Sequence, residues 1–582
     1  TTTTTTMTKL TIMMAVMAAI LMPELINCLP KQRPYVDAGD ENNNPVCTSE
    51  PLVQLKNGGR VRGVCKTGLN DREIHAYLSI RYARAERFAY SVAEQPWDDV
   101  YEATYQREAC PQEDPTVKHS EDCLYLNVIQ PIDSGDKLKP VMVWIYGGGF
   151  NLGSIHGVAS IIYDGSVIAS LGDVVYVNMN YRLGPFGFLY SGTDEAPGNQ
   201  GVHDVIMALR WVQDNIEKFG GDPNRVTIFG ESAGSFMSSM LILSPMAKGL
   251  FQRAIMQSGA VSDLKQFSPD YSLEKTQIFS RKCGCNQDDA DEMVECLKRL
   301  PPSKLTWKGD GMNFPAMFEG KQPIVMWNDK AGVVPSRPSE IIRKGHYNPV
   351  DLMFGFVHDE LAEILMLLDF EILNPLKSYT REHIKEKLFP IIKEFSFNGH
   401  EEELFEYYFK DEHHAMVKTD SLRRRMIDML SDPVMICPNY LFGQTLAMAM
   451  AKNSSATNRN RFYSFRFDHH SPFMAFIGCE KWMGVCHGMD IPFTFGLPIR
   501  KDIVKLAFTN KDRHISENVV RAWTRFAHTG NPEQMGDVEW PEFIGDDGET
   551  MRQMAINVEN GVIENQYRDR CEKFWNKYLF PQ

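Results

Sequence analysis

The sequence predicts an α/β fold, with a mostly parallel central sheet flanked by helices in a single large catalytic domain. Three stretches carry that expectation. Residues 226–229, VTIF, form a short apolar, β-branched run suited to a buried parallel strand, and Gly230-Glu231-Ser232-Ala233-Gly234 breaks it before helical composition begins. Residues 139–150, KPVMVWIYGGGF, read as a second strand that three glycines end at once. Between the two, residues 200–219 set Val202, Val205, Ile206, Leu209, Val212 and Ile216 on one side of a helix that stops at Gly220-Gly221-Asp222-Pro223. Strand, helix, strand, turn and helix in that order imply right-handed crossovers, with strand 226–229 central.

Taken from the start, six threonines precede Met7 and are excluded from the fold. Lys9 and the apolar run 10–22 read as a secretory signal peptide, too short to span a bilayer comfortably. Residues 1–28 are therefore expected to be upstream sequence plus signal, and the Pro-, Asn- and Asp-rich residues 29–45 a disordered leader. The catalytic domain then occupies residues 46–582. Residues 51–82 alternate around Lys56-Asn57-Gly58-Gly59-Arg60 like hairpin strands at a sheet edge. Residues 173–178, 348–357 and 461–468 read as further strands, 379–450 as mostly amphipathic helices, and 519–526 as part of a terminal helix. No run after the signal is expected to span a membrane, and residues 574–582 hold neither a hydrophobic tail nor an ER-retrieval tetrapeptide.

The 582 residues could supply several domains, but large α/β enzymes often run as one unit with long insertions. A net charge of −14 argues against nucleic acid or an anionic membrane surface as the main partner. Export would put the 12 cysteines in an oxidising compartment, where disulfides are the default. Cys283-Gly284-Cys285 is too closely spaced for a usual zinc pair and has no second pair of matching form, so no metal site is expected.

The chemistry gathers at Ser232. A strand, a sharp turn and a helix make a nucleophile elbow, in which side chains two positions before and after the serine would strike neighbouring backbone; Gly230 and Gly234 leave the room. The glycines after residue 146 offer bare amides where an oxyanion could form. A serine hydroxyl is a poor nucleophile at neutral pH and needs a histidine to take its proton and a carboxylate to orient that histidine. Glu360, just past the strand at 348–357, and His487, in a glycine-flanked loop, are the candidates, with Asp359 the rival acid.

Together these segments resemble the type-B carboxylesterase and cholinesterase family of α/β-hydrolases. The matching pieces are SEDCLYLN at Ser120, WIYGGGF at Trp144, NYRLGPFGF at Asn180, FGGDPNRVTIFGESAGS at Phe219, QSG at Gln257, HDE ending at Glu360 and WMGVCHG at Trp482, in the family's order. The resemblance implies that Ser232 is the nucleophile, His487 the general base and acid, and Glu360 the carboxylate. It also implies that Gly148, Gly149 and Ala233 are the oxyanion donors, that Glu231 is the acidic neighbour of the nucleophile, and that the substrate is a small-molecule ester cleaved without a cofactor.

The resemblance further implies the disulfides Cys110–Cys123, Cys285–Cys296 and Cys437–Cys571. Loss of Cys28 with the signal leaves Cys47, Cys65, Cys283, Cys479 and Cys486, an odd number, so at least one is a free thiol or pairs between chains. Cys47 with Cys65, and Cys479 with Cys486, are the candidate extra bridges. Asn453-Ser454-Ser455 is a glycosylation sequon.

Departures from the cholinesterase pattern bear on substrate. The loop from Cys110 to Cys123 holds no aromatic residue, and the segment after Gly259 and the run LAEIL after Glu360 lack aromatics that subgroup places there. A secreted carboxylesterase is the reading these residues favour, with a divergent acetylcholinesterase as the alternative. A non-catalytic adhesion protein of the neuroligin type is disfavoured, because Ser232, Glu360 and His487 are all present.

Overall fold

The computed structural model describes residues 50–114, 117–132, 135, 137–157, 162–306, 326–363, 380–394, 399–410, 419–453, 459–500 and 507–581. The signal and leader, Cys28, Cys47 and the two serines of the sequon lie outside the described residues.

One sheet of 11 strands organises the chain. In sequence order these are β1 (Val64–Thr67), β2 (Glu73–Arg81), β3 (Tyr125–Pro131), β4 (Lys139–Ile145), β5 (Val175–Met179), β6 (Gly221–Glu231), β7 (Arg253–Gln257), β8 (Asp351–Val357), β9 (Phe462–Phe467), β10 (Arg552–Ile556) and β11 (Gly561–Glu564). Their order across the sheet is β11-β10-β9-β8-β7-β6-β4-β5-β3-β2-β1. From β5 through β4, β6, β7, β8 and β9 to β10 every neighbour is parallel. The antiparallel pairings lie at the two edges. The fold is an α/β-hydrolase, with β6 in the middle as its apolar run requires: strands covered on both faces by helices tolerate few polar residues.

The stretch at 51–82 forms two hairpins. Leu52–Gln54 pairs with Arg60–Arg62 in a small separate sheet, and β1 pairs with β2 at the edge of the large one. Helix α1 (Gln200–Asn215) ends a turn earlier than its pattern suggests, and Ile216–Phe219 continue as a tighter turn. Asn215 takes part in the change: its Nδ2 donates to Trp211 O (3.1 Å) and its Oδ1 accepts from Lys56 N–H (3.2 Å). Gly220, at φ 72°, then turns the chain into β6.

Helix α2 (Ala233–Leu243) is buried along its whole length, as a helix apolar on every side must be. Helices α3 (Thr419–Ser431) and α4 (Cys437–Asn453) join through a wider turn at Asp432–Ile436, and α4 packs on β8. The expectation that no later run could span a membrane is corrected here. Ser421–Lys452 is long and apolar enough, but 78% of its apolar window is buried, which makes it a core helix. The terminal helix α5 (Asn510–Thr529) extends beyond residues 519–526 because Thr509 and Asp512 form a reciprocal capping box and Gly530 ends it.

Trp144 shows how the sheet is locked. Its ring lies 4.9 Å from Phe229 on the neighbouring strand and 4.9 Å from Phe495 in the layer above. Such aromatic pairs add about 0.5–1.5 kcal/mol each beyond the area they bury.

Candidate active site

Four chain segments that leave the carboxyl ends of β4, β6, β8 and β9 carry the predicted residues, which is where ligands bind in open parallel sheets. Ser232 sits between β6 and α2 with φ 56° and ψ −124°, a conformation a non-glycine residue holds only at a cost of about 1–3 kcal/mol. Its N–H donates to Gln257 O (2.9 Å), and its carbonyl accepts from Phe236 N–H (3.0 Å), so the surroundings impose the strain. The glycine spacing has the steric reason expected of it. A Cβ on Gly234 would lie 1.9 Å from Ile145 O, and one on Gly230 would lie 2.6 Å from the Gly234 carbonyl oxygen.

The glycine loop after β4 lies directly against this turn. A Cβ on Gly147 would stand 2.6 Å from Glu231 Oε2 and 3.0 Å from Ser232 Cβ. Gly148 and Gly149 take φ values of 110° and 60°, open to glycine at little cost. Among the described residues no acceptor takes the N–H of Gly148 or Gly149, while the Gly148 carbonyl accepts from Asn151 and Leu152. Ala233, the first residue of α2, likewise starts its helix with an amide that has no partner within the helix.

Glu360 and His487 meet across two loops. His487 Nδ1 lies 2.5 Å from Glu360 Oε2, and Glu360 Oε1 accepts from Val357 N–H at 3.0 Å. The Glu360 side chain is fully buried and that of His487 is 6% exposed, so solvent screens the contact little. With Nδ1 committed to the carboxylate, Nε2 faces the elbow, 3.2 Å from Glu231 Oε1. Asp359, the rival acid, points elsewhere: its Oδ2 accepts from Val485 N–H (2.9 Å).

Several carboxyl groups crowd this imidazole. Burial raises Glu231 to about 8, despite the opposing pull of His487. Burial likewise raises Glu363 to about 7 and Asp490 to about 6. For His487 burial acts downward, but Glu231, Glu360 and Glu363 outweigh it and raise the proton affinity of the imidazole. The cluster favours the imidazolium, the form that general-base catalysis creates.

A sequence profile of the carboxylesterase family matches residues 49–575. The chain belongs to the carboxylesterase family. Among similar proteins, the acetylcholinesterase of Danio rerio is 32% identical, over 92% of this chain and 90% of the relative. The acetylcholinesterase of Leptinotarsa decemlineata is 30% identical, over 91% and 86%. The cholinesterase of Mus musculus is 31% identical, over 92% and 88%. As a member of this family the chain is a carboxylic ester hydrolase, a serine esterase.

The structure pairs Cys110 with Cys123, Cys285 with Cys296 and Cys437 with Cys571, and adds Cys479–Cys486 beside His487. Among the described residues Cys283 is free, and Cys65 is disulfide-bonded. That bond disposes of one candidate metal site. Cys65, Glu73 and His75 lie close enough to hold an ion, but a disulfide sulfur offers no thiolate.

Two residues at this candidate site were given no role from sequence. Gln257 holds the elbow to the later loops: Nε2 donates to Asp490 Oδ2 (2.6 Å) and Oε1 accepts from Trp523 Nε1 (3.1 Å). Its signal was the QSG triplet. Glu363 joins the cluster by standing one turn beyond Glu360, inside a run that reads as aliphatic.

Proposed function

We propose that the chain is a secreted esterase that hydrolyses carboxylic esters through an acyl-enzyme on Ser232. His487 Nε2 takes the hydroxyl proton as Ser232 Oγ attacks the ester carbonyl, and returns it to the departing alkoxide oxygen. Water, activated by the same nitrogen, then cleaves the acyl-serine and restores the hydroxyl. Glu360 fixes the ring with Nδ1 as donor and stabilises its positive charge. The amides of Gly148, Gly149 and Ala233 hold the tetrahedral oxyanion. The contact of 2.5 Å between Glu360 and His487, set against the strained Ser232 turn, is the observation that carries this reading.

The substrates we propose are uncharged, short-chain esters. The loop closed by Cys110–Cys123 supplies no Phe, Tyr or Trp ring, and the Arg423 guanidinium stands 4.6 Å from the centroid of the Trp482 ring, so one face of that ring already holds a cation. A quaternary ammonium depends on ring faces, each worth about 0.5–2 kcal/mol. Losing two or three of them weakens choline-ester binding by about one to three powers of ten. Choline esters are the second reading, favoured by the names of the similar proteins. Export with residues 1–28 as upstream threonines plus signal, residues 29–45 as leader, a catalytic domain over 46–582 and a glycan on Asn453 complete the proposal.

Comparing kcat/KM for 4-nitrophenyl butyrate and acetylthiocholine on one preparation tests the substrate class, and a clear preference for acetylthiocholine would replace it with the second reading. Labelling with an organophosphate should modify Ser232 alone. A modified peptide from elsewhere would overturn the nucleophile.

A further inference from the structure

Asp359 is 3% exposed, yet it does not touch His487. Its hydrogen bonds join the two loops that bear the triad acid and the triad base. Asp359 N–H donates to Val485 O (3.0 Å), and Val485 N–H donates back to Asp359 Oδ2 (2.9 Å). The closed pair lies one residue before Glu360 on one loop and two residues before His487 on the other. Gly484 makes the approach possible: at φ 78° it has no side chain, and a Cβ there would stand 2.0 Å from Asp359 Oδ2.

The carboxylate is held from its other side as well. His358 Nδ1 lies 3.0 Å from Oδ2, and Arg424 Nη1 donates to Oδ1. Arg424 Nη2 reaches Asp428 Oδ1 (2.8 Å), which Arg570 Nη1 also meets (3.1 Å), and Arg570 Nη2 stands 3.1 Å from Asp432 Oδ1. This series ends beside Cys571, cross-linked to Cys437 at the start of α4. Asp359 is thus tied through Arg424 to α3 and to the C-terminal segment at Arg570 while it joins the two loops.

We propose that Asp359 is a positioning residue for ester hydrolysis, registering the His487 loop on the Glu360 loop so that Nδ1 meets Oε2. The proposal rests on the roles given above to His487 and Glu360. A displacement of about 1 Å in such a constellation can cost about a hundred-fold in rate.

The imidazole is faced by Glu231 from the elbow, by Glu360 and Glu363 from the turn after β8, and by Asp490 from its own loop. Asp359 acts on it only through the position of Glu360. Loosening that contact removes an influence that raises the proton affinity of His487, so the acid limb of kcat/KM moves to lower pH. A purely structural role would scale the activity without moving the limb.

Asp359→Ala should lower kcat by about ten- to a hundred-fold with KM within about two-fold, and shift the acid limb downward. Asp359→Asn keeps an oxygen for Val485 N–H but turns its NH2 group toward Arg424 Nη1, so its loss should be smaller than that of Asp359→Ala, with a smaller shift of the limb. If Asp359→Ala does not fold, Asp359→Glu carries the same test, because an added methylene drives the carboxylate against Gly484. Full activity in Asp359→Ala, loss without a shifted limb, or equal damage in Asp359→Asn would overturn the proposal. Glu360→Gln, measured alongside, separates the two levels: if it stays active the triad reading fails, whereas if it is dead and Asp359→Ala is not, only the positioning role fails.

Discussion

Glu360→Gln changes one oxygen to an amide nitrogen in a place where the surroundings decide which way the amide points. Val357 N–H donates to Oε1 at 3.0 Å, so the carbonyl oxygen of glutamine takes that position and the NH2 group turns toward Nδ1. Facing a donor, Nδ1 must become the acceptor, and the ring proton moves to Nε2, the nitrogen that should receive the serine proton. In a serine-hydrolase triad this exchange of acid for amide lowers kcat about 10,000-fold, equal to about 5.5 kcal/mol of barrier at about 1.36 kcal/mol per decade. The assay is kcat for 4-nitrophenyl butyrate across pH, with thermal melting to show that the fold is kept. Since Glu360 raises His487, the residual activity should show its acid limb at lower pH than the parent. A folded variant with kcat within about ten-fold of the parent would refute the assignment of Glu360.

Three further outcomes follow from the same geometry. Cys479 and Cys486 close a loop of sequence separation 7 that ends beside His487; replacing both by alanine should cost about 2–3 kcal/mol in the chain-entropy view and lower kcat, read by denaturant unfolding and esterase rate. Glu231 has a folded value raised from 4.5 to about 8, so the folded state holds its proton more tightly than the unfolded state and stability falls as pH rises between those values. Glu231→Gln should flatten that fall, and thermal midpoints at pH 5 and 8 that drop as much as in the parent would contradict it. Gly234→Ala sets a Cβ 1.9 Å from a backbone oxygen that cannot rotate away; the variant should lose more than about 3 kcal/mol of stability or fail to fold, and a parent-like melting temperature would count against the reading of the elbow.

Local features of the chain determined the framework of this protein. An apolar run, a glycine at each side of Ser232 and a three-glycine loop are statements about sterics within a few residues, and those sterics hold wherever the strands pair. The parallel sheet, the central place of β6 and the terminal helix follow from periodicity and crossover handedness. The acid was different. Asp359 and Glu360 are adjacent, and nothing in their spacing says which one meets a histidine more than a hundred positions away. Only the packing of the turn after β8 against the loop after β9 sends Glu360 to Nδ1 and Asp359 to Val485. The same holds for Ser421–Lys452, whose composition alone would suit a bilayer and whose burial depends on what folds around it. Long-range pairing also gave Arg423 its place over Trp482 and Gln257 its hold on Asp490. Such contacts are set by how distant elements stack, and a linear pattern records the faces of each element but not which face meets which.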